Sequence, residues 1–341
     1  MDFNAPWWLP GGNLQTIWPA LFAHRAPGGP PRYRRERWDT PDGDFIEVDH
    51  AVPAAGAAVL PPRPLPMRRP LLVLFHGLEG SSRSHYAETF AGVAAARGWD
   101  FAVPHFRGCG GTLNAAPRAY HSGDHEEIGW VLAQCASRHA GPLLAVGVSL
   151  GGNALLRWAE EGGRAAPAAC RVAAIAAVSA PLDLAAGAHA IGRGFNRLAY
   201  TRMFLASMKP KALAKLAQHP GLFDGEALRA ARDLHGFDDV FTAPLHGFRD
   251  AEDYWARCSA GPHLAAIRVP ALVLNAANDP FVPVVSLPSA APGSAGPQVT
   301  LWRPAEGGHV GFPQGRWPPG HARAMPGAVA GWLAGHLPPA A

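Results

Sequence analysis

The chain has 341 residues, 48% of them hydrophobic and 16% charged, which is enough apolar material for one large buried core or two modest ones. Thirty Lys and Arg against 26 Asp and Glu leave a net charge of +4, short of the clustered basic charge of a nucleic-acid binder. Four cysteines (Cys109, Cys135, Cys170, Cys258) form no CxxC pair and are too few to staple so long a chain, so reduced thiols and a cytoplasmic setting are expected. Pro6, Pro10, Gly11 and Pro19 interrupt the apolar residues near the N-terminus, where no basic segment precedes an apolar run, so no signal peptide is predicted. No stretch approaches the ~18 consecutive apolar residues of a membrane-spanning helix.

In chain order, Arg32 to His50 holds Pro41-Asp42-Gly43-Asp44 between two strand-like stretches, the turn chemistry of an antiparallel hairpin at a sheet edge. The Pro- and Ala-rich segment 52–70 reads as a surface loop. Six short apolar runs follow: Leu71 to Phe75, Phe101 to Val103, Leu143 to Val148, Val172 to Val178, Ala271 to Leu274 and Val299 to Trp302. Such unbroken runs suit parallel strands buried on both faces. Helical stretches alternate with them over Ser84 to Arg97, Asp124 to His139, Leu150 to Glu161 and His321 to Leu337. The fold class expected is therefore α/β, a mostly parallel sheet with helices on both faces. Asp124 followed by Glu127 has the spacing of a capping box. From Val178 to Ala271 there are about ninety residues, where a single crossover takes about thirty. Its apolar spacing (Leu198, Phe204, Leu205, Met208, then Leu213, Leu216, Leu222, then Tyr254, Trp255) predicts a helical lid over 182–265, inserted after the sixth strand of a single domain.

The strongest local signal is Gly147-Val148-Ser149-Leu150-Gly151-Gly152, which follows a strand pattern and opens a helix pattern. A turn that tight needs small residues two positions either side of the serine, and it lifts the hydroxyl clear of the sheet. A serine hydroxyl needs a base within hydrogen-bond reach, itself oriented by an acid. In this fold the order is Ser, acid, His. Asp279, after the penultimate strand, and His309, in Gly307-Gly308-His309-Val310-Gly311 after the last, fill those places. Asp183, just after the strand ending at Val178, is a rival acid. The backbone N–H groups of Leu150 and of Leu78, in His76-Gly77-Leu78-Glu79-Gly80-Ser81, are the expected oxyanion donors.

Further stretches extend the pattern: Gly12-Asn13-Leu14-Gln15-Thr16, His105-Phe106-Arg107-Gly108-Cys109, Tyr120-His121-Ser122-Gly123, Phe237-Asp238-Asp239 and Asp279-Pro280-Phe281. With these the chain resembles the AB-hydrolase-4 group of α/β hydrolases, which includes bacterial YheT-like hydrolases, plant embryogenesis-associated proteins and yeast medium-chain ethyl-ester-forming enzymes. The resemblance implies an α/β-hydrolase fold, cleavage of small-molecule or lipid esters, and a triad of Ser149, Asp279 and His309. Asn13 departs from the pattern, since many relatives have His there.

The expected chemistry is an acyl-enzyme on Ser149 resolved by water, with no metal or organic cofactor. Two rivals stay open: acyl transfer to an alcohol, and a silent binding protein of the same fold. His121 and His125 flank Asp124 with metal-ligand spacing, although a helix start explains them as well. Cys109, in a Gly-rich turn, reads as buried or as a reactive thiol. Arg193, Arg197, Arg202, Lys209, Lys211, Lys215, Arg229 and Arg232 give the lid either a solvated basic face or a surface for anionic membrane.

Overall fold

A computed structural model describes residues 2–25, 29–52, 68–162, 165–289, 291 and 293–338. The strands are β1 (Arg32–Asp39), β2 (Phe45–Val52), β3 (Leu71–Phe75), β4 (Asp100–Pro104), β5 (Leu143–Val148), β6 (Val172–Val178), β7 (Ala271–Leu274) and β8 (Val299–Trp302). They form one sheet in the order β1-β2-β4-β3-β5-β6-β7-β8. The pairs β1–β2 and β2–β4 are antiparallel; the strands from β4 through β8 pair in parallel. The sequence reading of an edge hairpin and a parallel core thus holds.

Strand residues point alternately to opposite faces, and the sheet sorts them into two cores. Leu71, Val73 and Phe75 join Leu143 and Ala145 on the face covered by α3 (His125–Arg138) and α4 (Leu150–Gly162). Leu72 and Leu74 join Leu144 and Val146 on the other, covered by α2 (His85–Ala96) and a C-terminal helix over Ala324–Ala334. That last helix starts three residues later than the sequence suggests, because the His321 backbone is taken by a two-way bridge to Gln314. Of the surface loop expected over 52–70, residues 53–67 lie outside the described residues.

Between β6 and β7 the chain leaves the sheet and forms helices, chiefly α5 (Leu184–Ile191), α6 (Arg202–Gln218) and α7 (Ala251–Cys258); the C-terminal helix is then α8. The two ends of this insertion are tied together, Gly261 N–H donating to the Leu182 carbonyl at 2.8 Å and Leu184 N–H to Ser259 Oγ at 3.0 Å. It has its own core, in which Leu205, Met208 and Ala212 of α6 meet Leu228, Phe237 and Phe241. Leu198, grouped with these by its spacing, is instead 65% exposed.

Asp124 caps α3 by accepting the Glu127 N–H at 3.3 Å, but Glu127 does not reach back to complete a capping box. Its carboxylate goes to Arg107 Nε at 2.5 Å, and Arg107 Nη1 reaches Asp42 and Asp44, each at 2.8 Å. The Pro41-Asp42-Gly43-Asp44 turn and the His105-to-Cys109 segment are thereby joined through a cation whose side chain is only 3% exposed. Removing one member of a buried charge cluster strands the others without compensation, a loss of about 3–5 kcal/mol. Arg107→Met is expected to lower unfolding free energy by about that amount in urea titrations followed by circular dichroism.

Candidate active site

Three loops at the carboxyl ends of β5, β7 and β8 converge on one spot, the edge where open parallel sheets form sites. Ser149 lies between β5 and α4 with φ +53°, a left-handed conformation that non-glycine residues rarely adopt. The turn closes because its neighbours lack side chains: a Cβ on Gly147 would stand 2.3 Å from the Gly151 carbonyl oxygen, and one on Gly151 2.5 Å from that of His76. The Ser149 N–H is held by the Val178 carbonyl at 2.8 Å, and its own carbonyl accepts from Gly152 and Asn153 in the first turn of α4.

Facing the serine, His309 Nε2 lies 3.0 Å from Ser149 Oγ, and His309 Nδ1 lies 2.9 Å from Asp279 Oδ2. The Asp279 side chain is wholly buried and its Oδ1 also accepts from the N–H groups of Phe281 (2.8 Å) and Val282 (3.2 Å). These donors keep it an acceptor, so it fixes the imidazole with Nδ1–H toward the acid and Nε2 free to take a proton. Phe281 packs on the imidazole with ring centroids 4.2 Å apart. Asp183, the rival acid, is exposed and caps α5 through the Ala186 N–H at 2.9 Å.

Both loops rest on α1 (Gly11–Leu21), whose part the sequence reading left open. Gln15 Oε1 accepts from Asn278 Nδ2 and from Gly307 N–H, both at 2.9 Å, and Thr16 Oγ1 accepts from His309 N–H at 2.8 Å. Glycines admit this approach: a Cβ on Gly12 would fall 1.9 Å from the Asn278 carbonyl oxygen, and one on Gly311 1.7 Å from that of Gln15. The Gly12-to-Thr16 motif therefore positions the acid and base loops from behind. Asn13, the departure from the family pattern, accepts the Tyr200 hydroxyl at 2.9 Å and so links α1 to the insertion. The signal was in the sequence as a motif; its target could not be read without the fold.

After β3, His76 is fully buried and neutral, desolvation lowering its pKa to about 3; its Nε2 accepts the Phe106 N–H, so it closes the strand ends. Gly77 backs onto the nucleophile turn, where a Cβ would meet that of Ser149 at 3.2 Å. On either side of Leu78 the backbone is pinned by phenols: Gly77 N–H donates to Tyr86 Oη at 2.9 Å and Glu79 N–H to Tyr120 Oη at 3.1 Å. Neither the Leu78 nor the Leu150 N–H has an acceptor among the described residues. Glu79 has φ +57°, and its carboxylate accepts from Tyr120 at 2.8 Å and from Lys211 of α6 at 2.9 Å.

The lysines are thus not an outward basic face. Lys211 pairs with Glu79, Lys215 is buried and donates to the carbonyls of Asn114 and Ala116, and Lys209 to those of Arg229 and Ala231. Cys109 lies beside Lys211, but burial pushes its thiol up to about 12, which leaves it unreactive. His121 Nδ1 accepts the Gly123 N–H at 3.2 Å and its ring packs on His246. Among the described residues no three His, Cys, Asp or Glu are placed to hold a metal ion, and no helix is long and apolar enough to cross a membrane.

Ser149 and His309 open into a cavity of about 110 Å³ whose other walls are largely apolar and come from the insertion, among them Leu184, Ile191, Phe204 and Met208. A larger cleft of about 1010 Å³, between Arg118, Arg157 and Arg257, touches neither residue. The arrangement provides a hydroxyl, a base able to take its proton, a buried acid behind the base, and an apolar chamber in front.

Comparison with known proteins places the chain in a family. The sequence model of the alpha/beta hydrolase fold family matches residues 70–315. YheT of Escherichia coli (strain K12), whose name proposes an esterase, is 40% identical over 304 residues, 88% of this chain and 84% of that protein. Phospholipase ABHD3 of Mus musculus is 29% identical over 294 residues, 85% of this chain and 68% of its own. Among solved structures, the Pyrococcus furiosus esterase Pf2001 superposes with a TM-score of 0.52 at 14% identity, covering 90% of this chain and 94% of that one, a likeness of fold. The chain belongs to the α/β-hydrolase fold family, within its YheT-like group.

Proposed function

We propose that this protein is a serine hydrolase that cleaves carboxylic esters through an acyl-enzyme on Ser149, with His309 as general base and Asp279 orienting it. The observation that carries this is the pair of contacts on one imidazole, 3.0 Å to Ser149 Oγ and 2.9 Å to Asp279. The names of the relatives, an esterase and a phospholipase, support an ester or lipid substrate.

Ser149 Oγ attacks the ester carbonyl as His309 Nε2 takes its proton. Negative charge collects on the carbonyl oxygen, where the N–H groups of Leu78 and Leu150 stabilise it. His309 then protonates the departing alcohol. Water, activated by the same imidazole, attacks the acyl-enzyme and frees the acid and Ser149. No step calls on a metal or cofactor. Residues 182–265 act as a lid, since side chains of the insertion wall the chamber above Ser149. A fluorophosphonate is expected to label the protein covalently, and Ser149→Ala to abolish both labelling and turnover of 4-nitrophenyl butyrate; residual labelling at another serine argues against this assignment.

The Lys211–Glu79 pair ties α6 to the backbone next to Leu78, so it positions an oxyanion donor. Losing a whole donor costs about 100- to 1000-fold in rate, and loosening one costs less. Lys211→Met is expected to lower kcat about tenfold with little change in KM, and Lys211→Arg to restore most of it.

With the lysines turned inward, contact with anionic membrane falls to Arg193, Arg197 and Arg202, all exposed and interleaved with Phe195, Leu198 and Met203, which are 55%, 65% and 56% exposed. Basic and apolar side chains mixed in this way suit an anionic lipid surface. Binding to vesicles is expected to rise with phosphatidylserine content and to fall in the triple Arg→Gln variant, as measured by co-sedimentation.

A further inference from the structure

The Phe237-Asp238-Asp239 stretch takes no part in the chemistry above, yet Asp238 lines the chamber that holds Ser149 and His309. It also lines a second cavity of about 70 Å³. The wall common to both consists of Leu78, Leu150, Met208, Asp238 and Tyr254. Two of these carry the N–H groups proposed to hold the ester oxygen; two others are the polar ones.

Asp238 opens a π-helical turn, Asp238–Thr242, an irregularity that recurs at functional sites. Its Oδ1 accepts from Thr242 Oγ1 at 2.7 Å and its Oδ2 from Trp255 Nε1 at 2.9 Å. A carboxylate oxygen accepts two hydrogen bonds, so each retains a lone pair. Among the described residues no Lys, Arg or His forms an ion pair with Asp238. Burial pushes its pKa up to about 6, against the hydrogen bonds from Thr242 and Trp255, which favour the charged form. A carboxylate used only to bridge Thr242 and Trp255 is an expensive choice, since two neutral donors offset the desolvation of a carboxylate only in part. Tyr254 completes the picture. Its oxygen accepts the Ser122 N–H at 2.9 Å, while its own proton has no acceptor among the described residues.

We infer that Asp238 and Tyr254 form a polar subsite that recognises a hydroxyl group of the ester substrate, carried a few bonds from the scissile carbonyl. This rests on the esterase reading above and gives it a substrate class, hydroxyl-bearing esters. A hydroxyl is the smallest group that donates to a carboxylate and accepts from a phenol at once. An ammonium engages Asp238 and leaves the Tyr254 proton idle; a carboxylate or phosphate is repelled by Asp238. An alkyl arm leaves the remaining Asp238 lone pairs and the Tyr254 proton desolvated without a partner. Sites built around a substrate hydroxyl reject analogues lacking it far more strongly than apolar pockets reject one methylene.

The test compares near-isosteric pairs: 2-hydroxyethyl butyrate with propyl butyrate for the alcohol arm, and ethyl 3-hydroxybutyrate with ethyl 3-methylbutyrate for the acyl arm. The wild type is expected to favour the hydroxyl member of at least one pair by about tenfold or more in kcat/KM. That ratio is expected to fall toward one in Asp238→Asn and in Tyr254→Phe. Because it is taken within one enzyme, general losses from imperfect folding cancel. Equal turnover of both members of both pairs by the wild type, or a ratio unchanged in both variants, overturns the subsite and leaves the esterase reading standing. No Ser149-dependent turnover of any of the four esters, with no fluorophosphonate labelling, overturns both.

Discussion

Ser149 is held in a left-handed backbone turn, and the geometry of the site depends on that one constraint. The conformation costs roughly 1–2 kcal/mol for a residue with a side chain. It persists because the surroundings over-determine it: a sheet bond to Val178, two bonds into α4, and glycines whose missing side chains let the chain pass within contact of β3. The strain aims the hydroxyl out of the sheet and puts the Leu150 N–H at the start of a helix. Relaxing the turn to an ordinary conformation would redirect both at once.

Around that turn, the loops carrying Asp279 and His309 pack against α1. Gln15 and Thr16 supply three hydrogen bonds to them, and Gly12, Gly308 and Gly311 allow the approach. The insertion is tied to the loop after β3 through Lys211 on Glu79 and to α1 through Tyr200 on Asn13. Helices from the N-terminus and from the middle of the chain therefore share the work of orienting a site whose chemistry resides in neither. The Lys211–Glu79 pair thereby joins the insertion to the loop that follows β3.

The motifs divide into two kinds once their contacts are known. Arg107, Asp44 and Glu127 form a buried charge cluster, with the exposed Asp42 at its rim, that joins the edge hairpin to the sheet. His76 and His105 likewise serve backbone N–H groups, those of Phe106 and Ser82. Asp238 and Tyr254 differ from these because each keeps unused hydrogen-bonding capacity on a cavity wall.

Much of this was legible in the amino-acid order. Apolar runs marked β3 and β5 through β8 with their observed ends; in β3 and β5 through β7 burial on both faces leaves no room for polar residues, whereas edge strand β8 is half-buried and admits Thr300. The proximity of the Gly-rich turn, Asp279 and His309 was legible because each follows a strand, and parallel strands deliver their carboxyl ends to one edge. What the order of residues left undecided was every contact between distant segments. Asp183 and Asp279 are both acids after strands; chain order favours Asp279, and the fold adds the 2.9 Å contact with His309 while leaving Asp183 as a helix cap. The lysines of α6 look like a basic face until folding turns them inward to Glu79 and to buried carbonyls. Periodicity reports which side of an element is apolar, and composition reports charge. Which partner meets a given side chain depends on how separate elements pack, and that is decided only in three dimensions.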